Sequence, residues 1–478
     1  MIKKYLLLVF SIASLNLFSQ NEAAKKMVQA DIDSKATEYV KTAKAIWGYA
    51  ELGYLETKSS NLLQNTLEKE GFVVQKALAD IPTAFVATYG SGSPVIGILA
   101  EFDALPGLSQ DSVPMKKTLV EGGSGHGCGH HLFGTASVAS AVALKNWMKS
   151  NKILGTIKLF GTPAEEGGGG KVYLARANVF QGLDVVLHWH PSDRNLANPE
   201  SCLAVMHGNF KFYGKSAHSA AAPERGRSAL DGVEAMNSMV NLMREHIPQE
   251  SRIHYVITKG GLAPNVVPDY AEVEYMVRDV NVNRVIELWG RVQKCANGAA
   301  MGTETTVKCD TISGLYSLLP NTTLAQLLHA NLTKVGGVKY DENDTQFAQK
   351  IQATFGMNAP PLNIAQNIQP CVTGFFPAST DVGDVSWLVP TAGLATATWV
   401  PGTAPHSWQS TATGGTNIGM KAMINAAKSL AMTGVDLLTD PRFIKEAKAE
   451  FMEKQGKDFK YKSLIGDIKP PLEYRKKL

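Results

Sequence analysis

The feature that most constrains this chain's fold is an alternation of short apolar runs with helical stretches, broken once by a block of different order. Val95–Ala100 is apolar and rich in branched residues, the mark of a buried strand, and Thr156–Gly161 and Asp184–Trp189 are similar. Helical stretches lie between and before them, at Thr135–Lys149, at Gly170–Asn178 and over Asp31–Glu70, where Gly71 supplies the stop. This alternation predicts an α/β fold: a mostly parallel sheet with helices on both faces. From Gly208 the order becomes strand (Asn209–Tyr213), helix (Ser228–Arg244), strand (Arg252–Thr258), strand (Ala271–Arg278), helix (Val282–Met301), strand (Thr305–Thr311). That is the β-α-β-β-α-β order of a ferredoxin-like α+β unit. It reads as an insertion, because α/β-type sequence resumes with a helix at Thr322–Lys334, β-rich Thr391–Trp399 and a helix at Thr416–Met432. A stretch containing glycine and proline around Gly356–Pro377 reads as a long loop.

A chain of 478 residues exceeds one ordinary core. The expected organisation is a signal peptide over 1–20, the first part of the larger domain over 21–206, the inserted unit over 207–313, and the second part with a closing tail over 314–478. Lys3 and Lys4 before an apolar run from Tyr5 to Leu17 form the signal pattern, and no Cys follows for lipid attachment. An exported protein, periplasmic or secreted and without a stable membrane anchor, is expected. A net charge of +4 without a basic stripe argues against nucleic acid as a partner. Arg475, Lys476 and Lys477 read as a solvated tail. Five cysteines are no disulfide framework, although a Cys295–Cys309 pair is an option in an oxidising compartment.

Ligands of open α/β sheets bind beyond the carboxyl ends of the strands. Glu101-Phe102-Asp103 follows the first strand, and the glycine-rich stretch from Gly125 to His131 opens the next helix. Pro163-Ala164-Glu165-Glu166 and four glycines follow the second strand. The third carries His188 and His190, and Pro405-His406-Ser407 lies beyond a β-rich segment. Thiolate, imidazole and carboxylate are the donors a late first-row divalent ion prefers, and glycine lets backbone approach an ion closely. His188 and His190 share parity on a strand, so geometry alone leaves both facing the site.

The stretches AEFDALPG, GHGCGHHLFGTA, GTPAEEGGGGK, DVVLHWHP, GKSAHSAAAPERGRSALD, APNVVPDYAEVEYMVRD, STDVGDVSW and PGTAPHSW resemble, in order, the aminoacylase and carboxypeptidase family of dinuclear metallohydrolases, and within it the amidohydrolase branch of hippurate hydrolase and the aminobenzoyl-glutamate utilization hydrolase. The resemblance implies two divalent metal ions, Zn or Mn, held by Cys128, His130, Glu166, His190 and His406. It implies Glu165 as general base, Asp103 as an orienting acid, and His218 and Asn265 as lid residues that meet the substrate, His218 often across a dimer. Arg278 is a further candidate for a substrate carboxylate, with a structural ion pair as its other reading. The inserted unit matches the family's lid and dimerisation domain, so a homodimer is expected. Counting from Asp184, His190 lines up with the family ligand better than His188. His131 stands where the branch usually has Asp, so the departure implies either altered support around the ligands or an added ligand. Trp399 and Trp408 flank His406 and are candidates to line an apolar pocket, with core packing the expected fate of at least one.

The implied reaction is hydrolysis of the amide bond of a small N-acyl or aminobenzoyl amino acid, or of a dipeptide, by metal-activated water. The alternatives are a dipeptidase or aminopeptidase on the same scaffold, or a metal- or ligand-binding protein without catalysis. The Glu165–Glu166 pair disfavours the last, because a binder has no use for a base beside a ligand.

Overall fold

The computed structural model describes residues 20–356 and 358–476, so all but the last position of the expected signal peptide lies outside the described residues. Strands β1 (Val73–Lys76), β2 (Phe85–Ser91), β3 (Val95–Ala100), β4 (Gly155–Gly161), β5 (Val185–Ser192) and β12 (Thr391–Ala397) form one sheet in the order β1-β2-β4-β3-β5-β12. The four neighbours β4, β3, β5 and β12 run parallel, while β2 lies antiparallel to both β4 and β1. All four parallel strands therefore end at one edge, where the loops carrying the candidate ligands leave.

The helix His130–Asn151 is buried from His130 through Lys145. Its run of Gly, Ala, Ser and Thr lets it lie close on the sheet and beside the helix Asn417–Thr439, and both helices belong to the main hydrophobic core. That explains why its sequence shows little amphipathic contrast: no face is left for water.

Strands β7 (Ala204–Tyr213), β8 (Arg252–Lys259), β9 (Tyr270–Asp279) and β10 (Thr306–Leu315) form a separate antiparallel sheet in the order β10-β7-β9-β8. With the helices Ala229–Met243 and Val282–Gly302 this gives the β-α-β-β-α-β order of a ferredoxin-like unit. Alternation along β9 explains its packing. Ala271, Val273, Tyr275 and Val277 enter a second hydrophobic core with the helices. Glu272, Glu274, Met276 and Arg278 fall on the opposite face. Ser228 and Asn281 cap the two helices through their side chains. A short parallel pair, β6 (Glu200–Cys202) with β11 (Gly374–Phe376), crosses the expected loop around 356–377.

One expectation changes, and two open readings are decided. The helical run Asp31–Glu70 includes two helices, Ala36–Tyr49 and Thr57–Lys69, parted where Ala50 and Tyr54 take positive φ of 43° and 66°. Periodicity survives the break because both helices present apolar residues to the same core. All five cysteines are free, so the Cys295–Cys309 pair is not made. Trp399 is buried at 3% exposure, as core packing requires, whereas Trp408 is half-buried and packs against a small core with Val400 and Ile418. No described helix is long and apolar enough to cross a membrane.

Candidate metal centre

Local backbone geometry explains the glycines around the first loop. Gly129, at φ 80°, is the N-cap of the helix that follows Cys128, and a Cβ there would also press on Pro191 at 2.8 Å. The loop is stitched to the histidine segment beyond β12. His406 N–H donates to the Gly127 carbonyl at 3.1 Å, and the Ser410 hydroxyl donates to the same oxygen at 2.7 Å. His406 itself sits at φ 55°, just before the helix Trp408–Gly414, which Ser407 caps.

Three donor sets emerge among the described residues, each with its ligand atoms within 4.8 Å of one another. Cys128, His130 and His190 form one; Cys128, Glu166 and His406 form the second; Glu101, His130 and Glu165 form the third. The first two share Cys128 and together contain all five residues expected as ligands. Cys128 Sγ lies 3.5 Å from His190 Nε2. His130 Nε2 lies 3.1 Å from Glu101 Oε2, and His406 Nε2 lies 3.1 Å from Glu166 Oε1. Yet His130 Nε2, Glu101 Oε2 and Glu166 Oε1 are buried without a hydrogen-bond partner. Buried polar atoms are normally satisfied. Donors that crowd together without aligning on one another are aimed at a common third atom, and the thiol, imidazole and carboxylate mixture suits a divalent first-row ion.

The surrounding groups orient these donors. His130 Nδ1 pairs with Asp103 Oδ1 at 2.8 Å, which leaves Nε2 for the cluster. Asp103 Oδ2 accepts the Glu166 N–H at 2.9 Å. His190 Nδ1 lies 2.8 Å from the Pro191 carbonyl, so its Nε2 likewise faces inward. His188 does not join the cluster. Its ring lies over Gly393 of β12, where any Cβ would collide with it, and burial pushes it down to about 4 as a neutral ring. Parity makes the two histidines equivalent; the missing side chain at Gly393 separates them.

Burial and the Glu166 carboxylate push the Cys128 thiol well above its ordinary value, so its thiolate needs a cation beside it. Burial and the nearby Glu101 and Glu166 carboxylates raise Glu165 well above the usual carboxylate range. Burial alone would lower His130, but Cys128, Asp103 and Glu101 outweigh it and hold the ring well above its usual value.

Several residues of the site carry no isolated signal in the sequence. Lys171 is fully buried and bridges Glu101 and Asp381, at 2.6 Å to each, and its N–H donates to Asp381 as well. Glu56 is also buried and accepts the N–H of Ala164, which stands at φ 58° just before Glu165. His131 faces away from the cluster: Nε2 lies 3.0 Å from the Gly414 carbonyl, and its ring stacks obliquely on His126 at 4.9 Å. Burial, with His126 next to it, keeps His131 well below its ordinary value and so uncharged.

The three expected substrate residues divide. His218 and Asn265 are exposed neighbours, joined through the His218–Val266 bridge and the Ser219 N–H to Asn265 carbonyl bond at 3.1 Å. They make no contact with the donor cluster within the described chain. Arg278 is placed elsewhere, opposite Arg252 near the far end of β9, with Nε on Met276 Sδ at 3.0 Å. The length of β9 from Tyr270 to Arg278 is roughly 26 Å at strand rise. Arg278 therefore does not share a carboxylate with Asn265 of the same chain.

The model of peptidase family M20/M25/M40 matches residues 97–406, which spans every donor above. The chain belongs to that family. It is similar to one of the subunits of the p-aminobenzoyl-glutamate hydrolase of Escherichia coli strain K12, with 37% identity over 455 residues, 90% of this chain and 95% of that one. It is also 30% identical to the Xaa-Arg dipeptidase of Mus musculus over 445 residues, 90% and 92% of the two chains. Among solved structures, a dinuclear metal binding peptidase of the M20 family from Bacillus subtilis shares the fold, with a TM-score of 0.58 and 16% identity over 85% of this chain and 99% of that one. This M20 member is a metal-dependent amide hydrolase, with its α/β sheet and separate antiparallel sheet as the family resemblance implied.

Proposed function

We propose that this M20 hydrolase cleaves a small N-acyl or aminobenzoyl amino acid, or a dipeptide, whose leaving amine carries a free carboxylate. The observation that carries the reading is the pair of donor sets meeting at Cys128 with Glu165 beside them. Cys128, His130 and His190 would hold one divalent ion, and Cys128, Glu166 and His406 a second, Zn or Mn. When bound, the ions supply an activated water and polarise the scissile carbonyl. Glu165 takes the proton of the attacking water and passes it to the leaving nitrogen. Its raised affinity for a proton suits the second half of that task. Asp103 fixes the His130 ring, and Lys171 keeps Glu101 in place behind it. His218 donates to the oxyanion, and Asn265 binds the substrate beside it.

Exposure of His218 in the single chain favours its service in a neighbouring protomer's site, and a homodimer is the assembly we propose. The Escherichia coli relative is by name one subunit of its hydrolase, which motivates a second reading, a different partner chain. Export is likewise proposed, on the Lys3–Leu17 pattern. The function is tested with purified enzyme loaded with Mn or Zn, comparing kcat/KM for aminobenzoyl-glutamate with that for its carboxylate-amidated form. A large loss on amidation is expected. Equal cleavage of both would move the function to an aminopeptidase.

A further inference from the structure

The turn that carries Glu165 and Glu166 is poorly equipped to hold its own shape. Ala164, Gly167 and Gly169 all take positive φ, at 58°, 89° and 64°, and residues 167–170 are four successive glycines. Glycine loses more backbone freedom on ordering than any other residue, so this turn depends on bonds from outside. On one side the Glu56 carboxylate accepts the Ala164 N–H at 2.8 Å, and Asp103 accepts the Glu166 N–H at 2.9 Å.

The other side is held from more than three hundred residues away in sequence. Tyr474 Oη and Arg475 Nη2 each donate to the Glu166 main-chain carbonyl at 2.9 Å. The basic run from Arg475 is thus anchored at its first residue, not solvated throughout. Tyr474 meets Tyr54 edge to face at 5.7 Å, and its hydroxyl fills the space above Gly53 that a Cβ would need. The Arg475 guanidinium lies over the Tyr474 ring at 4.8 Å. Segment 471–476 is thereby seated on the back of the turn, and both polar atoms of residue 166's backbone are engaged by side chains from elsewhere.

We propose that this segment is a latch, and that Tyr474 and Arg475 are positioning residues which hold Glu165 and Glu166 ready for ion and water. The proposal rests on the roles assigned to the two glutamates above. It predicts that the segment governs ion affinity and turnover without touching substrate.

The test compares the full chain with Tyr474→Phe, Arg475→Met and the double variant. Phe keeps the ring against Tyr54, so the first change removes chiefly a donor, while Met keeps only the aliphatic stem of Arg and removes the donor together with the charge over the Tyr474 ring. Amide hydrogen exchange of a peptide covering 162–172 is measured beside Mn affinity, kcat, KM and the thermal midpoint. Each lost donor should speed exchange of that peptide about five-fold, with other regions unchanged. In the double variant Mn affinity should fall about 10- to 100-fold, and kcat should fall with KM little altered. Arg475→Lys should restore part of the loss.

Exchange and Mn affinity equal to wild type in the double variant would overturn the latch. Faster exchange spread over the whole molecule with a lowered thermal midpoint would overturn it too, since the segment would then serve only general stability. If the double variant does not fold, Tyr474→Phe alone decides by the same local exchange. Local exchange is read without substrate. Faster exchange in an enzyme whose wild type neither binds Mn nor hydrolyses amides would sink the functional reading and leave the latch standing.

Discussion

Asp103 Oδ1 lies 2.8 Å from His130 Nδ1, while the other oxygen of the same carboxylate takes the Glu166 N–H at 2.9 Å. One buried side chain therefore sets the direction of an imidazole and the start of the glutamate turn together. Asp103→Asn keeps the shape but replaces one acceptor oxygen with an NH2 group. If the Asn oxygen keeps the Glu166 N–H, its NH2 faces His130 Nδ1 and favours the tautomer with the proton on Nε2, the atom that faces the cluster; turned the other way, it loses the Glu166 bond. Isothermal titration with Mn should show affinity reduced about 10- to 100-fold while the fold stays intact. Unchanged affinity would mean that the Asp103–His130 pair orients nothing.

Glu165 belongs to neither donor set that contains Cys128, whereas Glu166 belongs to one. Glu165→Gln should accordingly keep its metal and lose turnover by about 10²- to 10⁴-fold. Loss of metal with this variant would mean that the two glutamates have exchanged roles.

Asp384 offers a pH prediction away from the ligands. Burial pushes its carboxyl up to about 7 from 3.8, against the opposing bonds from the Tyr461 hydroxyl at 2.7 Å and the Tyr316 N–H at 3.1 Å. Between those two values the folded state holds a proton that the unfolded state has released. Stability is therefore greatest below the unfolded value and falls as pH rises through the folded one. Urea unfolding should show the folded state weakening between about pH 4 and pH 7, with Asp384 contributing up to roughly 4 kcal/mol if the whole shift is realised. Asp384→Asn should flatten that slope, and an identical slope in the variant would show that Asp384 ionises freely in the folded protein.

How much of this was legible in the sequence depended on whether the signal was local. The strands β3, β4 and β5 are short apolar runs, and the six elements of the inserted unit are each written in their own periodicity. Four of the cluster donors and Glu165 stand close to glycines or strand ends, so position and chemistry agree, while His406 lies in the loop beyond β12. By contrast β1 and β2 were not anticipated, because β1 is short and largely exposed and β2 fades into Gly90 and Ser91. Lys171 meets its partner Asp381 across 210 residues of sequence and Glu56 meets Ala164 across 108, and a buried ion pair has no local pattern. Strand parity leaves His188 and His190 equivalent and only the resemblance favours His190; the physical reason is Gly393 of β12, which lies under His188. Arg475 looked like a solvated charge because nothing near it in sequence says that the Glu166 carbonyl is its partner.

Cys128 is the donor on which both proposed ions depend. Metal stoichiometry, measured by elemental analysis of purified protein after Mn or Zn loading, tests this most directly across wild type, His190→Ala, His406→Ala and Cys128→Ala. The geometry predicts two ions per chain in wild type, close to one in each histidine variant, and loss of both from Cys128→Ala, with its activity lost as well. Full occupancy and normal turnover in Cys128→Ala would contradict a centre built on that thiolate.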